Sequence, residues 1–170
     1  RRVLFRSTGT TVGAQRLIAF QYAADIWASK LRSPTPIRVD AQFSALTCDA
    51  NSAVLGSAGA NTLHRAFAGA PQATAYYVQA AANSLATPAG TDLSPSTADI
   101  DANFNANIGT AGCLVSLGWY YGLDGKAPAG KLDFVTTLLH ELGHGLGFAS
   151  AVDDATGAKP NGFDDVFMKR

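Results

Sequence analysis

The stretch His140-Glu141-Leu142-Gly143-His144-Gly145-Leu146-Gly147-Phe148 decides the reading of the whole chain. It sets two histidines four residues apart, with a glutamate directly after the first. On a helix, positions i and i+4 share one face one turn apart, so both imidazoles reach a single metal ion. Zn²⁺ takes His nitrogens at about 2.0–2.1 Å and suits that geometry. Glu141 follows His140 too closely to share its metal. It is placed instead to take the proton of a metal-activated water.

Outward from the motif, the residues call for a helix. Val135, Leu138, Leu139, Leu142 and Leu146 recur at three- and four-residue spacing and form one apolar stripe. At about 100° per residue, His140 and His144 fall roughly opposite that stripe. One face buries while the other presents ligands. Asp133 is the expected N-cap, after a loop-like segment at 125–130. Gly143 and Gly145 are poor helix residues, each costing about 1 kcal/mol against Ala. Gly147 is the expected stop, since the residue after a helix often takes the left-handed conformation. A core helix with incidental histidines is the competing reading. Only three histidines occur in the 170 residues and two of them fall in this pattern, which favours the metal.

The stretch resembles the zincin metallopeptidase motif H-E-x-x-H, and its extension H-E-x-x-H-x-x-G is similar to the metzincin clan. In that clan the Gly turns the chain beneath the metal to bring in a third ligand. Most members place a His three residues after the Gly; here that position is Ser150. Gly147-Phe148-Ala149-Ser150 is closer to the leishmanolysin-like branch, which follows the Gly with Phe and an insertion before its third His. The third ligand therefore stays open: a His beyond residue 170, one of Asp153, Asp154, Asp164 or Asp165, or Ser150 acting through a water. The resemblance is specific over residues 131–148. It implies an α+β zincin-like catalytic domain, with a mixed twisted sheet packed on a first long helix and on the active-site helix. It also implies a zinc-dependent endopeptidase in which His140 and His144 bind Zn²⁺ and Glu141 is the general base. The substrate would be a peptide or protein. A secreted binding or adhesion domain with a structural or degenerate zinc site is the alternative. Two features weigh against it: structural zinc takes four protein ligands, and neither role needs Glu141.

At the other end, residues 1–7 (RRVLFRS) resemble a translated sequencing-library adapter and are set aside as an artefact. Residues 8–170 then form one domain, expected to be incomplete at its C-terminus, with a signal peptide or pro-segment upstream. Lys plus Arg and Asp plus Glu balance at thirteen each, and no basic cluster follows residue 7, so nucleic acid is not an expected partner. No apolar run approaches the roughly 18 residues of a membrane span. The composition resembles that of secreted bacterial proteins. Cys48 and Cys113 fit one disulfide formed in an oxidising compartment, flanking opposite ends of the strand region.

Between these ends, residues 12–31 read as a first long helix, with Leu17, Phe20, Ala24, Trp27 and Leu31 along one side. Residues 37–45 alternate as a strand, and 48–70 read as strand and loop. His64 lies in that part and reads as an ordinary surface or core histidine. Residues 71–85 read as a second helix through Tyr77, Ala81 and Leu85. Residues 98–108 alternate apolar Ile100, Ala102, Phe104, Ala106 and Ile108 with Asp99, Asp101, Asn103, Asn105 and Asn107. That pattern predicts a half-buried strand with a solvated polar face, a reading preferred to a Ca²⁺ site. By resemblance, it is the expected edge strand on which an extended substrate pairs. Trp119, Tyr120 and Tyr121 sit in a loop-like stretch before the metal helix, either lining the site or packing in the core.

Overall fold

Thr11 opens the first helix. Its hydroxyl accepts a hydrogen bond from Ala14 N at 3.2 Å, satisfying a donor that a helix start leaves orphaned. In the computed structural model, which describes residues 9–169, this helix (α1) spans Val12–Ala28. Its inward face is rotated from the expected one: Phe20 packs inward as read, but Ala19 and Ala23 are the fully buried residues and Leu17 is 70% exposed. The spacing located the helix and only part of its buried side. The adapter-like residues 1–7 lie outside the described residues.

The remaining elements are β1 (Val39–Ser44), β2 (Gly56–Ala60), β3 (Leu63–His64), β4 (Tyr77–Val78), α2 (Gln79–Leu85), β5 (Ile100–Asn105), β6 (Trp119–Tyr120), β7 (Leu132–Asp133) and α3 (Phe134–Gly145). A short 3-10 turn at Pro160–Gly162 follows. The class is α+β, as expected. Three strands form a sheet in the order β1-β5-β2, and β3 with β4 and β6 with β7 form two small pairs. Arg38 O accepts from Asp99 N and Ile100 N, and Ser44 O accepts from Ala106 N, so β1 runs parallel to β5. Leu55 O accepts from Asn105 N, and Asp99 O accepts from Asn61 N, so β2 runs antiparallel. The sheet is mixed.

This order corrects the expectation for residues 98–108. β5 is the central strand and not an edge, because both its ladders are taken. Its apolar side is as read, with Ile100, Ala102 and Phe104 buried. Its polar side is only partly solvated, for Asp99 and Asn105 are fully buried. Buried polar groups need partners. Asp99 accepts from Arg38 N at 2.7 Å and from Asn83 Nδ2 at 2.9 Å. Asn105 Nδ2 donates to Val54 O at 2.9 Å, and Asn105 Oδ1 accepts from Asn107 N at 2.9 Å.

The second helix is also shorter than predicted. Residues 71–75 are bends and a turn, Tyr76 bridges Asp165, and Tyr77 and Val78 pair antiparallel with His64 and Leu63 before α2 begins at Gln79. Tyr77 is buried with Ala75 and Ala82, and its ring meets Phe67 edge-on at 5.3 Å. Packing of that aromatic in a short β pair overrides the helical spacing.

The chain divides into two compact units. One gathers the described part of Arg1–Leu31 with Gln42–Ser57 and Asn103–His140; the other gathers Arg32–Ala41, Ala58–Ala102 and Glu141–Arg170. In the first, Phe134 is fully buried at the centre of an aromatic cluster. Rings of Phe104, Phe43, Trp119, Tyr121 and Phe20 lie 5.1–5.7 Å from it. Trp119 and Tyr121 thus pack in the core. The expected disulfide is present, with the Cα atoms of Cys48 and Cys113 5.2 Å apart. It joins the segments that follow β1 and β5, which run parallel, so it does not span opposite ends of the strand region. No helix among the described residues is long and apolar enough to cross a membrane.

Candidate metal centre

Phe134 is the first residue of α3, so the aromatic cluster around it holds the start of the histidine-bearing helix. β7 feeds directly into that helix. Asp133 pairs with Tyr120 in the parallel β6–β7 ladder, and its Oδ1 accepts from Thr136 N at 2.7 Å. The cap is the expected one. Val135, Leu138 and Leu142 are buried, and His140 on the other side is exposed. Glu141 and His144 are half-buried.

Gly145 has a packing reason. A Cβ there would come within 2.8 Å of Ile100 Cγ1 and 2.9 Å of Cδ1, on a side chain that is itself buried. Only a glycine lets the last turn of α3 approach Ile100 this closely.

The helix ends in a Schellman turn. Gly147 takes φ +107°, its N–H donates to His144 O at 3.0 Å, and Phe148 N donates to Gly143 O at 3.0 Å. The turn brings Phe148 O to 3.0 Å from His144 Nδ1. A carbonyl oxygen only accepts, so Nδ1 carries the proton and the lone pair of the neutral ring sits on Nε2. Metal-ligating histidines are held by this kind of outer hydrogen bond. Sequence reasoning did not find the Phe148 carbonyl. The signal for it was Gly147, whose turn fixes where the next carbonyl points.

Of the candidate third ligands, Ser150, Asp153, Asp164 and Asp165 have other partners. Ser150 Oγ donates to Asp165 Oδ2 at 2.8 Å, and Asp165 also accepts from Ala151 N at 2.6 Å and Met168 N at 3.0 Å. Burial pushes the Asp165 carboxyl up, but these hydrogen bonds outweigh it and hold it below the ordinary value. Asp164 lies 2.6 Å from Lys159 Nζ and 3.7 Å from Lys169 Nζ, which lower it too. Asp153 Oδ1 accepts from Thr156 Oγ1 at 2.7 Å and Thr156 N at 2.8 Å in a local turn. Asp154 is exposed in that same turn. Among the described residues, no group of three His, Cys, Asp or Glu side chains is arranged to hold a metal ion. The two imidazoles on α3 fit zinc in kind, and that of His144 also in tautomer. A catalytic shell needs one protein ligand more.

No protein-family model, no curated protein and no solved structure matches the chain.

Proposed function

We propose that the chain is the zincin-like, metzincin-related catalytic domain of a secreted zinc-dependent endopeptidase. One observation carries this reading: two histidines a helical turn apart enclose Glu141, and the imidazole of His144 is held by a hydrogen bond from Nδ1 to Phe148 O. His140 and His144 would bind the ion through ring nitrogens, with a third protein ligand beside them. When bound, Zn²⁺ supplies Lewis acidity, polarising a peptide carbonyl and making water a nucleophile near neutral pH. Glu141, next in sequence to His140, accepts the proton of the attacking water and hands it to the leaving amine. The disulfide between Cys48 and Cys113 supports an oxidising compartment.

The test is Glu141→Gln in the intact gene product, with zinc content and casein hydrolysis both measured. The amide cannot take the proton, so hydrolysis falls about 10²–10⁴-fold. Zinc content stays nearly unchanged, because Glu141 is not a ligand. A zinc-bearing binding module would hydrolyse nothing in either form. Equal casein cleavage by parent and variant would show that Glu141 is not the base.

A further inference from the structure

We infer that Gly147 is a positioning residue for the metal-binding ring of His144, an inference that rests on the zinc reading above. Neutral imidazole in water prefers its proton on Nε2, which is the wrong nitrogen for a ring that must offer Nε2 to a metal. The hydrogen bond from Nδ1 to Phe148 O reverses that preference. The acceptor is a backbone carbonyl, so no side chain sets its direction. The turn does, and the turn depends on Gly147.

Two features make the dependence specific. Gly147 has φ +107°, a conformation in which an L side chain is strained. A Cβ at this position would also stand 3.2 Å from Val78 Cγ2, tighter than ordinary contact. Relief of either moves the segment after His144 and carries Phe148 O away from the ring. The two backbone bonds of the turn, Gly147 N to His144 O and Phe148 N to Gly143 O, loosen with it. The expected role of this glycine was to turn the chain toward a third ligand. The geometry gives it a second task, choosing the nitrogen that His144 presents.

The experiment reads the ring directly. Nitrogen-15 NMR of the intact protein without metal, at a pH where His144 is neutral, should show the proton on Nδ1. In Gly147→Ala the Nε2–H tautomer should gain population, and titration with Zn²⁺ alone should show affinity about 10–100-fold weaker. Asn tolerates positive φ better than Ala but carries the same Cβ toward Val78, so Gly147→Asn should recover only part of both signals. If Gly147→Ala does not fold, the parent tautomer and Gly147→Asn still decide. An Nε2–H ring in the parent overturns the inference, as does an unchanged tautomer in a folded Gly147→Ala. A parent with Nδ1–H that shifts in the variant, yet takes up no Zn²⁺, upholds the positioning and removes the zinc reading instead.

Discussion

His64 and His144 are both half-buried and both hydrogen-bonded, but their surroundings engage opposite ring nitrogens. His64 Nε2 lies 2.8 Å from Thr62 Oγ1 and 3.2 Å from Ser94 Oγ. Thr62 Oγ1 donates its single proton to Gln79 Oε1 at 2.8 Å. The Gln79 amide is oriented by Nε2 donating to Ser94 O at 3.3 Å. The short contact to Thr62 is therefore made by a proton on Nε2 of His64. That nitrogen is occupied inside a network of hydroxyls and an amide. At His144 it is Nδ1 that donates, to Phe148 O, at the end of a helix that carries a second histidine one turn earlier. The neighbours of each histidine decide which ring nitrogen carries the proton. Burial alone does not separate the two.

Zinc content separates them most sharply. The intact protein should hold about one Zn²⁺ per chain, His144→Ala should hold none, and His64→Gln should match the parent. Metal analysis after dialysis decides it; equal zinc in parent and His144→Ala would break the comparison at its stronger end. Stability should rank the two residues the other way. His64→Ala leaves Thr62 and Ser94 short of a partner in a part-buried network, a loss of about 1–3 kcal/mol. In metal-free protein, His144→Ala removes one hydrogen bond near the surface and should cost about 0.5–1.5 kcal/mol. Chemical denaturation of both variants without metal checks the order, and the reverse order would mean that the His64 network contributes little.

The site-bearing helix was legible because its signals are local. Asp133, the Val135–Leu138–Leu142 stripe and Gly147 act within one or two turns of the residues they organise, so each reads from spacing alone. The His64 network was not legible. Its members come from β3 and the residue before it, α2 and the loop after α2, and nothing in any one segment announces the others. The same limit explains β5. Its alternation correctly marked one apolar side, but whether a strand is central or at an edge depends on pairing with β1 and β2, which lie far away in sequence. It also explains why Asp99 and Asn105 passed as solvated: their partners, Asn83 and Val54, are distant in the chain. The helix expected over 71–85 failed for a related reason, since Tyr77, Ala81 and Leu85 do keep helical spacing while Tyr77 packs in a strand pair.

The smallest expected effect concerns pH and isolates His64. Burial lowers its pKa, and the opposing attraction of Asp92 and Asp99 is the lesser influence, so the group sits below its ordinary value of 6.5. The sign follows from linkage. Between the lowered folded value and about 6.5, the unfolded chain binds a proton that the folded chain refuses, so stability rises with pH across that window. The contribution is fully present above about 6.5 and is lost as pH falls through the folded value. The carboxylates whose values are lowered, Asp165 and Asp164 among them, give up their own contributions only below about pH 4. Denaturation midpoints for the parent and His64→Gln, followed from pH 7.5 to pH 4.5, should therefore converge as the pH falls. Gln keeps a polar partner near Thr62 and Ser94 but cannot titrate, so the converging part of the difference belongs to the imidazole. A gap that stays constant across the window would mean that His64 titrates alike folded and unfolded. The closed network would then shield it less than its 2.8 Å contact implies.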